Sequence, residues 1–182
     1  MRISSLLPIA LLLAASGLGA QTHDPQAHAG HGQHASGYAE LMERDIKALS
    51  AEAVEGLLAG AGMQQALPAE LNGWAGPRHV LEMADMLGLT SEQRTGVQAI
   101  FDEMEAEAQR LGAAIVEAER ELDRYFLEST PTVQGLAHLT ERIGALRGAL
   151  RFTHLKAHLE TNPLLTDAQR AHYRTARGYT GG

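Results

Sequence analysis

The chain contains no cysteine. Disulfides, thiolate zinc sites and covalently attached haem are therefore excluded, and any bound metal must be held by His, Met or carboxylate. Aromatic residues make up only 4% of the sequence, and segments of strand type are missing. Ala, Leu, Glu, Gln and Arg dominate the second half instead, a helix-forming composition that predicts an all-α fold. No run of Lys or Arg occurs, and the formal net charge is -7. That balance repels a phosphate backbone, so no nucleic-acid partner is expected. Metalloprotease, nucleophile-elbow and phosphate-loop patterns are also absent, so the chain is read as non-catalytic, with no organic cofactor. Long apolar runs are lacking beyond the first twenty residues, and no membrane insertion is expected of the rest.

At 182 residues the chain is long enough for one domain with a core of its own. Its start reads as a leader: Arg2, an apolar stretch from Leu6 to Leu13, then small residues from Ala14 to Ala20. The apolar stretch falls well short of the ~20 residues that a spanning helix needs. A secretory signal peptide over 1–20, cleaved near Ala20, is the expectation, with the remaining chain in the periplasm. Residues 21–37 carry His23, His28, His31 and His34 among Gly, Ala and Gln without apolar periodicity, and read as a disordered His-rich tail. Such a tail suits either weak capture of nickel, copper or zinc by neutral imidazole, or a solubilising linker.

Residues 38–76 read as short helical pieces, one opened by Ser50 and ended by Gly60-Ala61-Gly62. A fourth segment, 77–178, begins where Gly76-Pro77 starts a helix that runs to Leu87 and stops at Gly88. Thr90 and Gln93 then form a capping box. From there Val97, Phe101, Met104, Ala108, Leu111, Ile115, Ala118, Leu122 and Tyr125 recur at threes and fours, a heptad seam on a helix of roughly 55 Å. Ser129-Thr130-Pro131 turns the chain. The seam resumes with Leu136, Leu139, Ile143, Leu146, Leu150, Thr153 and Ala157 until Asn162-Pro163. Two seams joined by a short turn pack antiparallel. A second capping box, Thr166 with Gln169, opens a last helix to about Arg177, beyond which Gly178 and the terminal Gly pair fray.

The pentapeptides Leu89-Thr90-Ser91-Glu92-Gln93 and Leu165-Thr166-Asp167-Ala168-Gln169 resemble the LTxxQ signature of the Spy/CpxP family of periplasmic stress and heavy-metal-resistance proteins. The resemblance spans about Pro77 to Arg177, with Leu89, Thr90, Gln93, Leu165, Thr166 and Gln169 as its motif residues. It implies a four-helix hooked antiparallel hairpin, usually a homodimer, and a non-catalytic role. Its members are chaperones for unfolded periplasmic chains, regulators of a membrane stress sensor, or binders of nickel, cobalt, copper or zinc. The nickel and cobalt sensor branch is similar in placing a donor pair four residues apart before each motif. The corresponding pairs here are His79 with Met83 and His154 with His158, exchanged in order relative to that branch.

Residues four apart on a helix stand one above the other, so His154 and His158 can share a divalent ion with a donor from a neighbouring helix. Glu103 is a candidate third ligand. The same two histidines also continue the stripe Arg147, Arg151 as a polar edge beside the seam. His79 with Met83 and Met86 would favour copper(I), although both methionines also suit a core. If the hairpin folds as read, His79 and the His154/His158 pair meet near one end of it. The functional reading is a metal-responsive sensor or scavenger; the alternatives are an ATP-independent chaperone or stress regulator, and a non-covalent haem held between Met and His.

Overall fold

The computed structural model describes residues 38–128 and 130–179, and all regular structure within them is helical. The expected leader, the tail with His23, His28, His31 and His34, and Ser129 of the turn lie outside the described residues. A 3-10 turn over Ala39–Glu43 leads to α1 (Ala51–Leu58), α2 (Leu67–Leu71) and α3 (Pro77–Glu82). Two long helices follow, α4 (Ser91–Glu128) and α5 (Val133–Thr161), then a 3-10 turn over Asn162–Leu164 and α6 (Asp167–Ala176). Among the described residues no helix is long and apolar enough to cross a membrane.

The long helices form an antiparallel hairpin, as their ion pairs record. Glu103 meets Lys156 at 2.9 Å, Glu119 meets Arg147 at 2.5 Å, and Glu121 meets Arg142 at 2.6 Å. One number rises as its partner falls. Helix α5 starts one residue after the expected turn, because Thr132 is the cap: its hydroxyl accepts from the Gly135 amide at 3.1 Å.

Helix α3 is shorter than its sequence pattern predicts. It ends at Glu82, with Met83 out of helical geometry. A further turn then closes through the Leu87 amide on the Met83 carbonyl, and Gly88 exits at φ +61. The chain thus bends between Val80 and Leu87 and buries both in one cluster with Ala75, Val97, Leu165 and Tyr173.

The 38–76 segment has no core of its own. Ser50 caps α1, accepting from the Ala53 amide at 3.2 Å, and the helix lies across the middle of α4. Ile46, Leu49 and Leu57 share a buried cluster with Ala108, Leu111, Ile115, Val116 and Leu150. Here the heptad seam understates the core, because α1 covers a second face of α4 and buries Gly112 and Val116 as well. The approach is close enough that a Cβ on Gly112 would collide with the Leu57 carbonyl.

Both motif copies stand at the open end of the hairpin, where α4 begins and α6 follows α5. The Thr90 hydroxyl accepts from the Gln93 amide at 3.1 Å while Gln93 Oε1 accepts from the Thr90 amide at 3.0 Å. Thr166 and Gln169 repeat that box. The two glutamines then bond each other: Gln93 Nε2 donates to Gln169 Oε1 at 2.8 Å, and Gln169 Nε2 donates to Gln93 Oε1 at 2.9 Å. Gln93 Nε2 also donates to the Leu164 carbonyl at 2.8 Å. The motif is therefore a pair of helix starts joined by a reciprocal amide clasp, with Leu165 buried and Leu89 packed beside it.

Candidate functional site

Helix α2 carries an acidic residue into the protein. Pro68 stands in the first turn of this short helix, and the chain leaves it through Gly73 at φ +82, with the Trp74 amide returning to the Ala69 carbonyl. Glu70 is 7% exposed. Its Oε1 accepts from the Tyr173 hydroxyl at 2.6 Å, the Tyr179 hydroxyl at 3.0 Å and Arg177 Nε at 3.2 Å, and His79 Nδ1 stands at 3.4 Å. Its Oε2 is buried without a hydrogen-bond partner among the described residues, 3.7 Å from His158 Nδ1. Burial alone would raise this carboxyl; hydrogen bonds from His79, Tyr173 and Tyr179 outweigh it and hold it down to about 2. Burial and the bond to Glu70 push the Tyr173 phenol in the opposite direction, well above its ordinary range, so it remains a donor.

His154 and His158 sit one turn apart on α5, 4% and 9% exposed. The polar-edge reading of this pair is thus corrected: α5 is covered on that flank by α2 and α3, which turns the edge inward. His158 Nδ1 lies 2.7 Å from the Trp74 carbonyl. A carbonyl only accepts, so Nδ1 carries the proton and Nε2 keeps a lone pair in the neutral ring. The ring is laid against Gly76, where an added Cβ would stand 2.6 Å from Nε2; glycine is required for that approach. His154 Nε2 is buried with no partner among the described residues. Burial, then the charges of His158 and Arg78, lower its pKa and favour the neutral ring.

His79, His154, His158 and Glu70 line one cavity of about 340 Å³, with Met63, Phe101, Met104, Arg177 and Tyr179 among its other walls. The three imidazoles anticipated from sequence therefore share one space. Met83 and Glu103 do not join them. Met83 packs against the cluster around Val80 and Tyr173, and Glu103 is exposed and bridged to Lys156. Met86 is exposed outside the cavity. Among the described residues no group of three or more His, Asp or Glu side chains is placed to hold a metal ion.

Sequence reasoning missed Glu70, Tyr173, Arg177 and Tyr179. The C-terminal residues after α6 do not fray as expected through position 179: Gly178 turns at φ +74 and the Tyr179 amide bonds the Arg174 carbonyl at 2.8 Å, which sets its ring beside Glu70. The one available signal was the placement of two of only four tyrosines at this end.

A family model described as LTXXQ motif family protein matches residues 76–177. No curated protein and no solved structure matches the chain.

Proposed function

Because the chain belongs to the LTXXQ motif, Spy/CpxP-type, family, we propose that it is a non-catalytic periplasmic stress protein that responds to a transition metal through the cavity beneath α2. One observation carries this reading: His79 and the His154/His158 pair, far from it in sequence, line a single space with the ionised Glu70. The donors have suitable states. His154 is held neutral, and the His158 bond to the Trp74 carbonyl is the outer-shell contact that orients an imidazole ligand. No preformed set of three such donors exists among the described residues, so nickel, cobalt, copper(II) or zinc would draw the imidazoles inward. Since the donors belong to α2, α3 and α5, that movement couples binding to the seating of the N-terminal helices, as a sensor requires.

In this reading α3 to α6 form the hooked four-helix unit, two copies associate, and the His-rich tail gathers ions before the cavity takes them. A chaperone or regulatory role is the second reading, favoured by the exposed Phe126, Leu127, Val133, Phe152 and Leu159 along α4 and α5. Calorimetry with nickel, copper(II) and zinc separates the two. It compares the chain from Gln21, a variant with His23, His28, His31 and His34 replaced by Ala, and His154→Ala/His158→Ala. Binding tighter than ~100 μM, about 5 kcal/mol, is expected to survive loss of the tail histidines and to vanish in the double variant. Binding that follows the tail, or none at all, overturns the metal reading. Suppression of aggregation of a reduced client at equimolar dimer would then support the chaperone.

A further inference from the structure

We propose that this cavity is a site for a soft monovalent ion, copper(I), bound by the thioethers of Met63 and Met104 together with the imidazole of His154. The proposal rests on the metal reading above and names the ion and its donors.

Nickel and zinc want three or four nitrogen or oxygen donors, and no such group is assembled among the described residues. Copper(I) is content with thioether sulfur and fewer ligands. The cavity has two thioethers in its wall, from Met63 and Met104. Neither is the methionine that sequence spacing favoured, since Met83 and Met86 lie elsewhere.

His154 supplies the second observation. Its Nε2 is buried, unpartnered among the described residues and part of the cavity lining. An orphaned buried nitrogen is destabilising, a cost that a ligand would remove. The Glu103–Lys156 bridge sets the register of α4 against α5, and that register places Met104 at the level of His154.

Met63 supplies the third. It stands at φ +42 and Gln64 at φ +64, left-handed conformations that strain a non-glycine residue. Met63 is also half-exposed rather than a core filler. Its sulfur rests against Gly56 of α1, where an added Cβ would be 2.9 Å from it. The loop thus presents a soft donor at the cavity rim at the expense of backbone strain.

The test is anaerobic competition for copper(I) against the coloured bathocuproine disulfonate complex, using the full exported chain with its four tail histidines replaced by Ala. Withdrawal of one equivalent of copper(I) is expected. Met63→Leu/Met104→Leu should weaken it at least tenfold and leave metal-free thermal unfolding within a few degrees, and His154→Gln should weaken it similarly. Copper(I) affinity unchanged within twofold in the double leucine variant overturns the proposal. If nickel or zinc still binds through the histidines in that case, the metal reading stands and only the copper(I) assignment falls; if no metal binds, both fall.

Discussion

Glu70 shows how far a single side chain can depart from what its neighbours in sequence advertise. It lies between Leu67 and Leu71, both exposed, and is itself buried, the reverse of the usual arrangement, so no hydrophobic pattern could have exposed its role. Its stability contribution has a defined sign. The folded carboxyl titrates at about 2 against an ordinary 4.5, so the unfolded chain takes up the proton first as pH falls. The stabilisation is complete above pH 4.5, drains between 4.5 and 2, and amounts to about 3 kcal/mol. Glu70→Gln is expected to lose most of it at neutral pH and to flatten urea-unfolding stability across that acid window; a variant as acid-sensitive as the parent would contradict the assignment. Two glycines make an opposite pair. Gly112→Ala drives a methyl into the Leu57 carbonyl, whereas Gly148→Ala, in α5, enters open space. The first should cost more than ~2 kcal/mol, and the second should add roughly 0.5–1 kcal/mol through helix propensity. Denaturant midpoints moving the same way in both would refute the α1–α4 contact.

Helices with a long regular seam or a clear start signal were legible in the sequence, Ser50, Pro77 and Thr166 each standing where a short helix opens, whereas α2, which has neither, was not. The bounds of α4 and α5 followed from heptad spacing, a capping box and Asn162-Pro163, because over so many turns the periodic term outweighs local noise. Helix α2 has five residues, too few for periodicity, and its position is decided by contacts with α5 and with Tyr173 of α6 that no local signal encodes; the six residues of α3 were legible only at their Pro77 start, and their seat on α4 and α5 was not. The candidate site divides along the same line. The histidines of α3 and α5 could be found by spacing on a helix, whereas Glu70 and Tyr179 arrive from a five-residue helix and a chain end. The motif itself was half legible: each capping box could be read locally, but the clasp between Gln93 and Gln169 could not. Gln93→Ala and Gln169→Ala in a double-mutant cycle should show a coupling of about 0.5–2 kcal/mol. Additive losses would mean that each glutamine serves only its own helix.

Taken whole, the molecule does not divide where the family match begins. Residues 76–177 match, yet Ile46, Leu49 and Leu57 complete the cluster around Leu111 and Ile115, and Glu70 reaches the cavity from outside the matched stretch. A chain that starts at Pro77 is expected to keep much of its helical circular dichroism but to bind a hydrophobic dye and melt without cooperativity. A sharp, dye-free transition from that fragment would show the N-terminal helices to be dispensable. The amide clasp bears on a further question, which is why the pentapeptide ends in Gln and not Glu. Seen from one helix, a carboxylate three residues past the cap is the better choice, since it completes the same box and suits the helix dipole. Seen from the facing copy it is a fault, because a carboxylate has no N–H to return and two of them would repel. The last letter of each copy is thus proofread by the other across the fold, and an acidic misprint at either place would go unnoticed until the chain closed.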